Sequence, residues 1–417
     1  MARKIKVLLV QPRGVQEGFT RGDTRLPPLG LLYIAAAIKN VAEVHLVDTD
    51  ALNLDDQDVV AGLGDWAPDL VGMTVSSLTL EVVCRFARKV KDATDARVIL
   101  GGPLPSAMPE EVLKHQEVDF AGVGDGEPIM QGLCQALEES RDPETVEGVV
   151  SRNSLANDSL RHSPLRADLS TVERPAWDML PGFGSYRSPD SVQTPITIVE
   201  GQRGCPHACS FCSVPATSGG KRRSRSIDSL VEEIDYLTGN RGIREISFVD
   251  PDFMMNSQYA VAVSKGMISL GRPVSWFCNA RAASIRESVT RTMQAAGCHL
   301  VYLGAESGDP TILARIHKRQ TLEQIEDACR LLRNSGIEVS VGFIIGFPFD
   351  TGDSVRRTIE FAKRLKPAKF QFSIFNWFPG ISMEVPRGLA PIGFHPKNGS
   401  TRWLEWQKRA YEELRND

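Results

Sequence analysis

The chain has 417 residues, a formal net charge of −4 and eight cysteines. Its length exceeds that of one ordinary hydrophobic core, so we expect two domains or more. The near-neutral charge argues against nucleic acid as a partner, and the apolar run in MARKIKVLLVQPRG is too short for a signal peptide or a membrane span. We therefore expect a cytoplasmic protein, in which clustered cysteines indicate a metal or catalytic site rather than disulfides.

Residues 1–140 alternate short apolar runs with helical patterns, which is typical of an α/β fold with a doubly wound, Rossmann or flavodoxin-like parallel sheet. The candidate strands are KVLLV (6–10), VHLV (44–47), LVGMT (70–74), RVIL (97–100) and FAGV (120–123). In this fold ligands bind at the carboxyl ends of the strands. The turns there, VSSLT, GGPLPS and GDGEP, are rich in small and hydroxylic residues. They predict a binding edge, although such residues also suit ordinary turns.

Residues 141–190 lose this periodicity and collect Pro, Ser, Asn and Asp, which predicts a linker. Strand and helix patterns resume over 191–385 and predict a partial (βα)6 barrel of TIM type, with its chemistry at the carboxyl ends of the strands. A helical extension is expected over 386–417, closing the end of the barrel. The candidate barrel strands are TIV (197–199), EISFV (245–249), VSWFC (274–278), HLVYLG (299–304), EVSVGFII (338–345) and KFQFSI (369–374).

Three cysteines lie close together in RGCPHACSFC, on the loop after the first barrel strand. Three thiolates can bind zinc, but a zinc site needs a fourth ligand, and His207 inside the loop is awkwardly spaced for that role. An iron-sulfur cube held by three cysteines instead leaves one iron open for a ligand that is not protein. The remaining cysteines are interpreted as small buried residues: Cys84, Cys134, Cys278, Cys298 and Cys329.

The C-x3-C-x2-C motif, with an aromatic residue before its last cysteine, resembles that of the radical S-adenosylmethionine (SAM) superfamily. The segments ISFVDPDF, WFCNAR, MQAAGCHLVYLGAESG, HKRQT and GFIIGFPFDT resemble the superfamily's successive strand-end motifs. The resemblance implies a [4Fe-4S] cluster whose open iron binds SAM. It also implies reductive cleavage of SAM to a 5′-deoxyadenosyl radical, which takes a hydrogen atom from the substrate.

The same resemblance implies roles for individual residues. The implied cluster ligands are Cys205, Cys209 and Cys212. The implied SAM-binding residues are Phe211 near adenine, Arg281 at the methionine carboxylate, Glu306 and Ser307 at the ammonium or ribose, and Gly342 and Gly346 at adenine. Arg281 equally suits a structural ion pair, and the apolar neighbours of the two glycines also suit a core. We predict Glu306 and Asp250 as catalytic residues.

The N-terminal half resembles the cobalamin-binding domain that precedes the barrel in one class of radical SAM enzymes. The resemblance lies in LPPLGLLYIAAAI, a Ser-x-Leu turn, a Gly-Gly pair and VGDGEP, and it implies cobalamin contacts from Ser76, Ser77, Leu78, Gly101, Gly102, Gly124, Gly126 and Glu127. The family's D-x-H-x-x-G element is replaced by QPRGVQEG, so cobalt would have no histidine ligand from the protein. Without cobalamin, this domain would be a retained scaffold.

Two classes of reaction follow from the resemblance. The favoured one is cobalamin-dependent C-methylation of a small polar molecule in a specialised pathway such as antibiotic biosynthesis. The alternative is a radical reaction without methylation, such as sugar diol dehydration, epimerisation or cyclisation. Methylthiolation of transfer RNA would need a second cluster, for which the N-terminal cysteines are too few. A cofactor sensor would not need the barrel.

Residues outside these motifs indicate the kind of substrate and the kind of partner protein. Trp377, Phe378 and Pro379 predict an apolar wall at the substrate, and carboxylates that suit hydroxyl or amino groups are found at Glu200, Asp250 and Asp252. The basic run KRRSRS (221–226) predicts a solvated helix start, capped by Ser226 or Asp228. Its alternative interpretation is a docking surface for a flavodoxin- or ferredoxin-type electron donor.

Overall fold

The computed structural model describes residues 3–14, 24–63, 66–156, 164–384 and 400–415. The chain forms two compact units, one from residues 1–198 with 216–225 and the other from residues 199–215 with 226–417. The chain therefore enters the second unit, returns to the first for a short segment, and enters the second again. Among the described residues, every helix is too short or too polar to span a membrane.

The first unit is built on one sheet flanked by helices. Its elements are β1 (Ile5–Gln11), α1 (Leu29–Ile38), β2 (Ala42–Asp48), α2 (Thr49–Leu52), α3 (Asp56–Ala61), β3 (Leu70–Thr74), α4 (Leu80–Ala93), β4 (Arg97–Gly101), α5 (Pro103–Ala107), α6 (Pro109–Leu113), β5 (Phe120–Gly122), α7 (Gly126–Glu138), β6 (Val149–Val150) and α8 (Arg152–Ala156). The sheet order is β2-β1-β3-β4-β5-β6, and β6 alone is antiparallel to its neighbour. The first five strands have the flavodoxin-like order, confirming the predicted fold class.

The segment 141–190, predicted as a linker, is packed into the first unit. It supplies β6, and Leu165 forms a bridge with Gly124 after β5. The hydroxyl of Tyr186 donates a hydrogen bond of 3.0 Å to the buried carboxylate of Asp48 at the end of β2. The segment shows little periodicity because single side chains and isolated bridges, rather than long regular elements, hold it in place.

From residue 196 onward the chain repeats strand and helix. The elements are β7 (Ile196–Val199), β8 (Gln202–Arg203), α9 (Val214–Ser218), β9 (Arg223–Ser224), α10 (Ile227–Asn240), β10 (Glu245–Phe248), α11 (Ser257–Ser269), β11 (Ser275–Ala280), α12 (Glu287–Ala295), β12 (Cys298–Glu306), α13 (Pro310–Arg315), α14 (Leu322–Asn334), β13 (Glu338–Ile345), α15 (Gly352–Leu365), β14 (Lys369–Ile374) and α16 (Ser400–Arg415). A six-stranded sheet has the order β14-β13-β12-β11-β10-β7. The strands follow one another in sequence order, as in an open (βα)6 barrel, and β10 to β14 pair in parallel.

Side-chain caps explain where several of these helices begin. Ser226 accepts a hydrogen bond from the amide of Ser229 and caps α10, which confirms one of the two predicted caps. Thr321 and Gln324 form a reciprocal capping box at the start of α14. Such caps satisfy amide groups that have no partner within the helix.

Helix α16 covers β14, the edge strand of the barrel sheet. The amide of Phe372 donates to the hydroxyl of Tyr411 at 3.2 Å, and the Gln407 side chain donates to the carbonyl of Phe372 at 2.6 Å. These bonds satisfy backbone groups that an edge strand otherwise leaves unpaired. The extension was predicted to close the barrel's end, but these contacts place α16 along its edge. Residues 386–399 of the predicted extension lie outside the described part of the chain.

Candidate active site

The cysteine loop follows β7 and is anchored near its centre. The amide of Ser210 donates to the carbonyl of Ile316 at 3.0 Å, and the amide of Met383 donates to the carbonyl of Ser210 at 3.0 Å. Cys209 is buried at 7% exposure, whereas Cys205 and Cys212 are partly exposed. All three thiols are free, so the loop holds its sulfur atoms without a disulfide.

The donor set fits a cube better than a single ion. Among the described residues, three ligand atoms that all lie within 4.8 Å of one another occur at Cys84, His115 and Glu117, not in this loop. A single tetrahedral ion needs its ligands close together, whereas a cube carries each cysteine on a different iron. The zinc interpretation is therefore not supported, and the three thiols suit a [4Fe-4S] cluster.

Two cationic side chains, Arg281 and Lys318, lie near the cysteine loop. Arg281, at the end of β11, donates from Nη1 to Sγ of Cys209 at 3.3 Å and from Nη2 to the carbonyl of Lys318. Burial raises the pKa of the Cys205 thiol, and nearby Arg281 partly opposes that rise. Burial, Arg281 and Lys318 all lower the pKa of His207, which favours its neutral imidazole.

Glu306 forms a buried ion pair that the sequence did not reveal. Its Oε1 accepts from Nζ of Lys318 at 2.6 Å, and the two side chains are 12% and 6% exposed. Glu306 has a φ of 65°, where the pairing of β12 with β13 is irregular. A Cβ at Gly304 would lie 2.6 Å from Glu306 Oε1, so this glycine provides space for the pair. Lys318 belongs to the segment HKRQT, but its partner is identifiable only in the folded chain.

Ser307 is turned towards the helix layer. Its hydroxyl lies 3.2 Å from that of Thr358 on α15 and accepts from the amide of Asp309 at 3.1 Å. The residue is 2% exposed. These contacts give Ser307 a structural role, and its contact with SAM stays a prediction.

Asp250 lies directly after β10 and is fully buried. Its Oδ2 accepts from the amide of Gly201 at 3.0 Å, and the hydroxyl of Tyr259 donates to the carbonyl of Gly201 at 3.1 Å. Burial raises the pKa of Asp250 to about 7, and Glu200 adds repulsion. The hydrogen bond from Gly201 lets this buried carboxylate hold the start of the cysteine loop, and the catalytic role of Asp250 stays a prediction.

The other predicted substrate carboxylates also have partners within the second unit. Glu200 pairs with Nε of Arg203 at 2.6 Å. Asp252 accepts from the hydroxyl of Ser284 at 2.5 Å, and burial raises its pKa. These contacts do not prevent either carboxylate from binding a substrate. Each contact nevertheless gives its carboxylate a structural role that needs no substrate.

An aromatic cluster extends from the cysteine loop to the carboxyl ends of β13 and β14. The ring of Phe211 lies 5.9 Å from that of Phe347, which in turn lies 5.0 Å from Phe375. Phe375 lies 5.0 Å from Trp377, one residue of the predicted apolar wall. The sequence indicated the two ends of this cluster and missed Phe347 and Phe375, which connect them.

The two glycines predicted at adenine differ in their surroundings. A Cβ at Gly342 would have only the carbonyl of Leu303 nearby, at 3.9 Å, so its backbone is accessible. The amide of Gly346 already donates to Oδ2 of Asp350 at 2.9 Å, and a Cβ there would lie 3.1 Å from Trp403. Gly342 therefore remains the better candidate for a contact with SAM.

In the first unit, the turn after β4 leaves open space beside the backbone. A Cβ at Gly101 would meet no atom within 4 Å, whereas Gly102 has a φ of 101° and a Cβ there would lie 2.8 Å from Thr74. The turn after β3 is ordered by its own side chains, since Ser76 Oγ accepts from the amide of Leu78 at 3.2 Å. The free space at Gly101 is the feature that suits a bound cofactor.

Close packing surrounds two further glycines of the predicted cobalamin site, while the cobalamin contacts themselves stay predictions. A Cβ at Gly124 would lie 2.2 Å from the carbonyl oxygen of Leu165, and a Cβ at Gly126 would lie 2.6 Å from Ile34 on α1. Glu127, on the first turn of α7, is 8% exposed. The glycines are explained by close packing, and much of the QPRGVQEG loop lies outside the described residues.

A family model described as the radical SAM superfamily matches residues 199–362, and one described as a B12 binding domain matches residues 21–133. An uncharacterised methyltransferase of Pyrococcus horikoshii is 32% identical over 91% of this chain and 82% of its own length. The chain belongs to the radical SAM superfamily and carries a B12-binding domain. It is therefore a radical SAM enzyme, and its two domains imply an iron-sulfur cluster, SAM and cobalamin as cofactors.

Two further proteins resemble this radical SAM enzyme over most of its length. An anaerobic magnesium-protoporphyrin IX monomethyl ester cyclase of Cereibacter sphaeroides is 25% identical over 88% of this chain and 60% of its own. The structure of the radical SAM methyltransferase TsrM from Kitasatospora setae, with cobalamin and a [4Fe-4S] cluster bound, superposes with a TM-score of 0.75. That match has 21% identity and covers 91% of this chain and 74% of the other. It shows that the two-domain fold is shared.

The basic run of the radical SAM enzyme is not a solvated face. Arg223 donates from Nη1 to Asp125 at 2.5 Å and to the carbonyl of Ala167 at 2.7 Å, and all three residues belong to the first unit. Arg225 is 2% exposed and donates to the hydroxyl of Tyr33 at 3.1 Å. Two arginines of the run are thus internal, which weakens its interpretation as a docking surface.

The group Cys84, His115 and Glu117 has an explanation without a metal. Glu117 accepts from Arg88 at 2.8 Å, so a guanidinium already neutralises this carboxylate. Burial raises the pKa of the Cys84 thiol to about 12, with Glu117 adding repulsion. The protonated thiol and the ion pair agree with the interpretation of Cys84 as a small buried residue.

Proposed function

We propose that this radical SAM enzyme is a cobalamin-dependent methyltransferase that methylates a carbon atom of a small polar substrate. The observation that carries the proposal is the occurrence, in one chain, of a cysteine loop that suits a cube and a sheet edge with free space at Gly101. The match of both domain families and the methyltransferase relative from Pyrococcus horikoshii support it. A flavodoxin- or ferredoxin-type electron donor and a cytoplasmic location belong to the same proposal.

Different residues of the second unit would bind the cluster, orient the ligand and exclude water. When bound, the cluster with SAM supplies a hydrogen-abstracting radical, and cobalamin supplies a methyl group. The loop cysteines hold the cluster, and the buried pair of Lys318 and Glu306 offers one cation and one carboxylate to orient a zwitterionic ligand. The aromatic cluster from Phe211 to Trp377 excludes water from the surroundings of a reactive radical.

Two glycine variants test the cobalamin part of the proposal. Gly101→Ala adds a methyl group where no atom lies within 4 Å, so the unit should keep its stability while cobalamin retention falls at least about tenfold. Gly102→Ala introduces a clash and backbone strain, and serves as the control for a damaged fold. Retention is measured from visible absorption after anaerobic loading with hydroxocobalamin. A wild-type protein that retains no cobalamin under saturating supply would refute the proposal.

The products formed from SAM separate the two candidate functions. Reduced enzyme with SAM and cobalamin should form S-adenosylhomocysteine in a cobalamin-dependent manner, because methyl transfer from SAM leaves that product. The second candidate is a radical reaction without methylation, which the similarity to the magnesium-protoporphyrin ester cyclase favours. Formation of 5′-deoxyadenosine alone, unaffected by cobalamin, would support this second function and exclude the first.

A further inference from the structure

Two of the three guanidinium nitrogens of Arg281 donate hydrogen bonds, and one of these bonds goes to the sulfur of a loop cysteine. Nη1 donates to Sγ of Cys209 at 3.3 Å, and Nη2 donates to the carbonyl of Lys318. Arg281 is 6% exposed, and Cys209 is the most buried cysteine of the loop. Since the guanidinium is planar, these two contacts fix its orientation at the sulfur.

The donor at this sulfur is a cation, because a guanidinium stays protonated in proteins. Asp252 interacts electrostatically with Arg281, which opposes the rise in the pKa of Asp252 that burial causes. Lys318, whose carbonyl accepts from Arg281, pairs through its own ammonium with Glu306 at 2.6 Å. The Cys209 sulfur therefore receives a hydrogen bond from a charged donor.

We propose that Arg281 is a positioning residue that raises the reduction potential of the cluster through its hydrogen bond to Cys209. The inference rests on the proposed assignment of Cys205, Cys209 and Cys212 as the cluster ligands. Reduction brings one electron from a low-potential one-electron donor onto the cluster and increases the negative charge on its sulfur atoms. A cationic N–H donor stabilises the more negative, reduced form more strongly, and hydrogen bonds to sulfur are among the factors that set such potentials.

This role leaves one nitrogen of Arg281 for another partner. Nε is buried and has no hydrogen-bond partner among the described residues. The predicted contact with the methionine carboxylate of SAM can use this nitrogen or the second hydrogens of Nη1 and Nη2. The two roles are separable, because the hydrogen bond to sulfur acts on the cluster whether or not SAM is present.

The test measures the midpoint potential of the reconstituted full-length protein by a redox titration monitored by electron paramagnetic resonance, without SAM or cobalamin. A tenfold change in a one-electron equilibrium corresponds to about 59 mV, and we expect Arg281→Met to lower the potential by about one such step. Arg281→Lys, which keeps the charge but not the planar fork, should lower it less. Arg286→Met is the matched control, because Arg286 is exposed and its Nη1 donates to the carbonyls of Ala283 and Ile285.

An unchanged potential in cluster-loaded Arg281→Met would overturn the proposal, even if SAM binding became weaker. If Arg281→Met does not bind a cluster, the midpoint potential of Arg281→Lys is the test. A potential of Arg281→Lys equal to that of the wild type would then refute the proposed role. The result is independent of the methyltransferase proposal, because no methyl donor or substrate is present. If the separate assay for S-adenosylhomocysteine failed, the methyltransferase proposal would be refuted, but the measured shift in midpoint potential would still test the role of Arg281.

Discussion

Replacing Asp250 by Asn should remove a large part of the pH dependence of stability. Burial raises the pKa of Asp250 from 3.8 to about 7 in the folded protein. Between these two values the folded state binds more protons than the unfolded state, so the free energy of unfolding falls as the pH rises through this window. At 1.36 kcal/mol per pKa unit, the loss between pH 5 and pH 7 is at most about 3 kcal/mol.

The Asn side chain cannot titrate, but its oxygen can still accept the amide hydrogen of Gly201. At low pH, where the wild-type carboxyl is protonated, Asp250→Asn should lose some stability, because its amide group stands where Oδ1 has no hydrogen-bond partner among the described residues. Its melting temperature should nevertheless fall less between pH 5 and pH 8. With about 2–4 °C per kcal/mol for a unit of this size, the difference from the wild type is at most about 5–10 °C.

Differential scanning calorimetry under anaerobic conditions, at one scan rate and at four pH values from 5 to 8, measures this effect. Asp353→Asn is the matched control, because Asp353 is 70% exposed and pairs with Arg356 on the surface. Its melting temperature should follow that of the wild type at every pH. Parallel curves for the wild type and Asp250→Asn would show that the buried carboxylate does not titrate in this range, and would refute the reasoning.

Four further substitutions test other contacts. Cys209→Ala should abolish both the visible absorption of the cluster and the cleavage of SAM, and persistence of either would contradict the assigned ligand. Lys318→Met leaves Glu306 buried without its cation and should lower the free energy of unfolding by about 3–5 kcal/mol. Adding Glu306→Gln should recover most of that loss in chemical denaturation, and no recovery would argue against the pair. Arg223→Met should destabilise the first unit by about 1–3 kcal/mol, seen as faster hydrogen exchange around Asp125, whereas unchanged exchange would show that the contact is unimportant.

The sequence predicted those features that repeat or that act locally. Short apolar runs located the parallel strands of both sheets but not the antiparallel β6, because parallel strands covered on both faces are almost wholly apolar. The start of α10 was predictable because Ser226 caps the amide only three residues away. The cysteine spacing was informative for the same reason, since a short loop must bring its own thiols together.

Features that depend on distant residues were missed or misinterpreted. Lys318 and Glu306 are separated by a helix, and no periodicity connects a lysine to a carboxylate across such a gap. Gly124 makes space for the backbone of Leu165, far along the chain, which the sequence did not reveal, and its predicted contact with cobalamin stays a prediction. Arg223 looked solvated because charged runs usually are, and only the fold supplies Asp125 as its partner.

The excursion of residues 216–225 into the first unit has a consequence for engineering. A graft of the first unit that stops at residue 198 would omit Arg223 and leave Asp125 without its 2.5 Å partner. The boundary of the radical SAM family match at residue 199 coincides with the first crossing of the chain but not with the later two. Chimeras that exchange the B12-binding domain between relatives should therefore transfer residues 216–225 with it, as a second, covalently separate piece of the same folding unit.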